Sequence, residues 1–199
     1  ASPAFSAFFD GYIGEVAWWM QEDPPLGVLD ADAVRAIYNQ GKPIDLSKDS
    51  GNYDFSHRLQ FWMRMGYEDT FPIIKDHATN SGQTPQVPNN GTMTNMSSDD
   101  IVTEIPKQVK GFDTDNTYSM NFRNGILDPG EQYIDLRDDT FLNLGTENFT
   151  ISAWVKVDDW TSQNIITKKQ DGNYSWKFCS QGTDKLQFIS EGNNVSGPT

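Results

Sequence analysis

Apolar and polar side chains alternate most regularly from Phe149 to Val157, where Phe149, Ile151, Ala153, Val155 and Val157 are separated by Thr150, Ser152 and Lys156. A period of two puts the apolar set on one face of a strand. Trp154 falls among the polar positions, so its ring is either covered by a second layer or left out to bind something. Residues 8–20, FFDGYIGEVAWWM, predict a turn at Asp10-Gly11 and then a strand. Simple alternation would group Tyr12, Val16, Trp18 and Met20 on one face and Ile13, Ala17 and Trp19 on the other. With both faces apolar, the strand is expected to be central and covered on both sides. Glu15 stands out within it, because an unpaired buried carboxylate costs several kcal/mol; it must be paired, metal-bound or at the sheet rim.

The pattern then changes period. After the break at Asp23-Pro24-Pro25, Asp30 can cap a short helix carrying Val34, Ile37 and Tyr38, which Gly41 and Pro43 end. Residues 46–54 turn to Ser, Lys, Asp, Gly and Asn, a composition that marks a boundary. In LQFWMRM, Leu59, Phe61, Met63 and Met65 alternate as another strand. The stretch from Asn80 to Asp100 reads as a long loop with one short strand, and residues 107–117 as a further polar connection. Strands follow at 164–169, at Tyr174, Trp176 and Phe178, and at Leu186 and Phe188, the last two joined by a hairpin at 181–184.

Composition narrows the choices. Six Trp, twelve Phe and seven Tyr in 199 residues favour packed sheets. A formal charge of −13, with fifteen scattered Lys and Arg, argues against nucleic acid and against an anionic membrane surface. Cys179, the single cysteine, permits no internal disulfide or thiolate cluster and reads as a small strand residue. No apolar run reaches the ~20 residues needed to span a bilayer.

Several segments carry a family likeness. YSMNF (118–122), YIDL (133–136), LNLG (142–145) and FTISAWVKV together resemble the first half of a laminin-G-like, concanavalin-A-like jelly-roll domain. G-x-I-x-E-V-A-x-W with the helix and K-P-I-D-L after it is similar to the closing strand, helix and exit segment of the same domain type. W-x-R-M-G at Trp62 and G-T-M-x-N-M at Gly91 resemble the tandem arrays of marine phage structural proteins and bacterial adhesins. The resemblance implies an all-β antiparallel sandwich with one short helix near residues 30–40. It also implies that residues 1–48 end one unit, 49–56 link, and 57–199 begin a second unit that is incomplete at its C-terminus. Either residues 1–45 fold back onto 55–199 as a permuted domain, or the missing strands come from other polypeptide; the second is the expectation here.

Catalytic chemistry finds little support. Retaining glycoside hydrolysis needs two carboxyl groups about 5 Å apart, and the E-x-D-x-E type of strand found in β-glucanases is missing from the sequence. With only His57 and His77 there is no H-E-x-x-H site either. Asp113 to Thr117 imitates the start of an EF-hand, yet Tyr118 replaces the glycine and Asn124 the closing glutamate. The resemblance implies Ca²⁺ as the one cofactor to look for, held by Asn124, Asp128 and Glu131 with Glu15. Two departures weigh against it: Gly14 precedes Glu15 where the family commonly has an acid, and Arg123 stands at another acidic position. For sugars, rings that stack on pyranose faces point to Trp154, Trp160 and Trp176, with Trp160 foremost at a strand end. The expectation is a non-catalytic structural or adhesive module on a virion surface or outside a cell. Its expected partners are other virion or surface subunits, further copies of itself and cell-surface glycans; the alternative is a carbohydrate-binding module of a secreted adhesin or polysaccharide hydrolase.

Overall fold

The computed structural model describes residues 8–21, 29–78, 88–103, 116–123, 131–136, 142–144, 148–158, 160–170, 173–182, 185–190 and 193–196. Its centre is β1 (Gly11–Gln21), which pairs antiparallel along its length with β8 (Asn148–Val157). On the other edge of β1 lie β6 (Ser119–Phe122) at Gly11 to Ile13 and β2 (Leu59–Met63) at Val16 to Trp19. β5 (Ile101–Val102) extends this sheet beyond β6. A second sheet runs β12 (Asn193–Ser196), β11 (Lys185–Ser190), β10 (Asn173–Gln181), β9 (Asn164–Gln170), all antiparallel neighbours. A small third sheet joins β3 (Ile73–Ile74), β4 (Gly91–Thr94) and β7 (Tyr133–Asp135).

The main core lies between these sheets. Trp18 stacks on Trp176 at 5.1 Å and on Phe149 at 5.3 Å, while Phe61, Met63, Ile74, Met93 and Met120 fill the remainder. The outer face of the first sheet has a separate core, where Ala17, Trp19, Leu59 and Trp62 meet Leu29, Ala33, Ile37, Leu46 and Tyr53. Its roof is α1 (Ala31–Tyr38), started as expected by Asp30, whose carboxylate accepts from the backbone N–H of Asp32 and Ala33. β1 is therefore apolar on both sides because both are covered.

Two irregularities change the expected faces. Ile13 pairs with Val155 and Val16 with Ala153, so β1 carries an extra residue at Gly14-Glu15. This bulge brings Ile13 onto the main-core face with Val16 and Trp18, against the simple alternation, and removes Tyr12 from it. A second shift between Trp18 and Trp19 sends Leu59 to the outer core with Trp62, away from Phe61 and Met63. In α1 the buried side chains are Ala33 and Ile37; Val34 and Tyr38 point to solvent, contrary to the stripe read from the sequence. β1 comes from the stretch expected to close one unit, yet it is hydrogen-bonded among strands of the stretch expected to open another.

Candidate functional site

The bulge aims the Glu15 side chain to the outer face of the sheet. Glu15 is 5% exposed, and its carboxylate accepts from Trp62 Nε1 at 2.5 Å, Asn116 Nδ2 at 2.9 Å and Arg64 Nε at 3.3 Å. Asn116 also donates to the Arg64 carbonyl at 2.6 Å and accepts from the Tyr118 backbone N–H, so it ties the approach to β6 to the end of β2. The Arg64 guanidinium lies over the Tyr67 ring at 3.9 Å and the Trp62 ring at 4.9 Å. Burial pushes the Glu15 carboxyl above its ordinary range, and the Arg64 charge and the three donors pull against that without cancelling it.

Above this pair a small, partly open cleft of ≈ 20 Å³ is lined by Gly14 and Glu15 of the bulge, Gly41 and Pro43 after α1, Asn116, Tyr118 and Trp154. A space of that size holds about one water. Trp154 stands on the outer face of β8, and Tyr38 of α1 stacks on it at 5.8 Å with the rings 17° from parallel. Tyr38 is 58% exposed and Tyr118 36% exposed, so aromatic surface surrounds the opening. Trp154, on the polar side of its strand, is thus covered in part by one neighbour and borders the cleft.

A family model described as the concanavalin A-like lectin/glucanases superfamily matches residues 128–199. That stretch is similar to the laminin-G-like domains of this superfamily. It contains the second sheet, β7, β8 and Trp154, while Glu15 and the lining residues from Gly41 to Tyr118 lie outside it. No curated protein and no solved structure matches the chain.

Within the laminin-G-like stretch the three tryptophans separate. Trp160 is 37% exposed beside a tightly bonded turn: Gln163 accepts from the Asp10 N–H and donates to Thr161 Oγ1, and Ser180 Oγ donates to the Thr161 carbonyl at 2.6 Å. Trp176 is a correction. It is 1% exposed, donates Nε1–H to the Leu142 carbonyl and stacks in the core, so no sugar reaches it. Its sequence context, alternating with Tyr174 and Phe178, was equally compatible with either face.

Of the expected Ca²⁺ ligands, Glu15 and Glu131 lie among the described residues. The Glu15 oxygens are held by three donors, one of them the buried Arg64 guanidinium. Asn124 and Asp128 lie outside the described residues, and Glu131 is exposed, with its carbonyl accepting from Asn95. A second buried carboxylate, Asp100, is paired with Arg123 and accepts from Ser97 and Gln132. Among the described residues no group of three or more His, Cys, Asp or Glu is placed to hold a metal. Sequence reasoning missed Asn116 and Arg64 as partners of Glu15. Asn116 sits in a polar connection with no periodic signal, and Arg64 follows a strand whose partner was not legible.

Proposed function

We propose that the chain is a non-catalytic adhesion module that contacts cell-surface glycans through the aromatic opening around Trp154, in a phage virion appendage or fibre. The observation that carries the glycan part is the stacked Trp154–Tyr38 pair beside a cleft with a polar floor. Sugar sites combine these features, because aromatic rings cover the apolar faces of pyranoses while a few fixed polar groups set their orientation. The superfamily of residues 128–199 supports a carbohydrate-binding or adhesion type of module. The virion setting rests on the likeness of the W-x-R-M-G and G-T-M-x-N-M segments to phage arrays, and assembly with further copies or other surface subunits belongs to that setting.

The non-catalytic reading has its own support. Among the described residues lining the cleft Glu15 is the single acid, and it is ion-paired, whereas glycoside hydrolysis uses two carboxyl groups across the bond. Attachment to a secreted hydrolase is the second reading, favoured by the mention of glucanases in the superfamily's description; a catalytic domain elsewhere in a longer sequence would select it. A Ca²⁺ contribution is proposed only for the turn from Asn124 to Glu131. The test of the main reading is a glycan array with the wild type, Trp154→Ala and Trp160→Ala. Trp154→Ala is expected to lose binding with its melting curve still cooperative, and Trp160→Ala to keep it. An array with no bound glycan, or full binding by Trp154→Ala, would remove the proposal.

A further inference from the structure

The cleft that the bulge opens has a size and a polarity that say more than that a sugar stacks above it. We infer that it is a socket for one hydroxyl group of a neutral pyranose, with the sugar ring lying on the aromatic surface outside. This inference rests on the glycan reading of the Trp154 opening.

Three features define the socket. The first is room: ≈ 20 Å³ is about the space of one water, which a hydroxyl can take. Gly14 and Gly41 help to keep it open, since neither brings a side chain into the lining. The second is the direction of hydrogen bonding. A carboxylate offers about four lone-pair sites, and donors from Trp62, Arg64 and Asn116 use three of those on Glu15. What is left is an acceptor, which suits an O–H donated from the ligand.

Charge is the third feature. A carboxylate or sulfate of an acidic glycan would enter beside the Glu15 carboxylate, in a chain whose formal charge is −13. Arg64 is already committed to Glu15 and to two aromatic rings. The site therefore selects neutral sugars over uronates and sulfated sugars. Fixed protein groups that lose their partner make a hydroxyl-specific site reject analogues more strongly than an apolar one does.

Ligand-side chemistry tests the socket without disturbing the fold. The terminal sugar of a neutral glycan bound on the array is prepared as methyl glycosides in which each remaining hydroxyl in turn is replaced by methoxy or by hydrogen, and affinities are measured by titration calorimetry. One position is expected to lose about tenfold or more with methoxy and a smaller factor with hydrogen, while the others change by less than about twofold. Glycan binding that depends on Trp154 yet tolerates methoxy at every position would overturn the socket and leave the glycan reading standing. Preferred binding of uronate or sulfated glycans would also overturn it. An array without any bound glycan would end both.

Discussion

Replacing Arg64 by Met tests the account of the buried pair, because the change keeps an unbranched apolar stem and removes only the guanidinium. In the wild type the Arg64 and Glu15 side chains are 10% and 6% exposed with 3.3 Å between Nε and Oε1, so neither charge is well solvated. Stripping one partner from a buried pair costs about 3–5 kcal/mol, since the other charge is left uncompensated. The cation–π contacts over Tyr67 and Trp62 add about 0.5–2 kcal/mol each. For a chain of this size each kcal/mol moves the melting temperature by about 2–4 °C, so loss of the ion pair alone predicts a fall of roughly 6–20 °C near neutral pH.

The pH dependence is the sharper test. Burial raises the Glu15 carboxyl in the folded state, so its contribution favours folding below the unfolded value of 4.5 and is lost as pH rises through the folded value. Arg64 opposes that rise, and without it the folded value climbs further. Below about pH 4.5 both folded proteins hold a neutral carboxyl, and the wild type then carries an unpaired guanidinium, so the penalty shrinks toward zero. It grows as pH rises into the range where only the wild type keeps a charged, paired Glu15. Urea unfolding followed by tryptophan fluorescence at pH 4 and pH 8 would measure this. A penalty equal at both pH values, or one that persists unchanged when Glu15→Gln is added, would refute the reasoning.

Two other outcomes follow from the site. Trp176→Ala should lower stability by about 3–5 kcal/mol with Trp176→Phe much milder, read as urea midpoints; a small effect would return Trp176 to the surface. Glu15→Gln should leave any chelator-induced fall in melting temperature as large as in the wild type, because the Glu15 carboxylate is already paired with Arg64. A fall that disappears with Glu15 would make it a ligand.

The sandwich was legible because its signals are local and agree with one another. Alternation from Phe149 to Val157 and in 164–188, and Asp30 before an apolar helical stripe, each match an element of the structure. The faces were less legible at Ile13, Leu59 and Val34. A bulge adds one residue without any compositional mark, and which side of an eight-residue helix is buried depends on what lies beneath it. The cleft was half legible: Glu15 and Trp154 each broke a local pattern and so drew notice. That they face one another across Gly14, next to Asn116, is a product of strand pairing between distant segments.

That pairing also governs how the protein comes into being. Trp18 and Trp19 are made well before Ile151 and Thr150, their partners in β8. At ribosomal rates of ~5–20 residues per second, the strand waits on the order of ten seconds for β8. During that interval its two aromatic sides have only early companions such as β2, and an identical strand on a neighbouring polysome is a ready substitute for the true one. Crowded production would therefore trap intertwined copies, and slower initiation or a bound chaperone should raise the yield of single, correctly closed molecules.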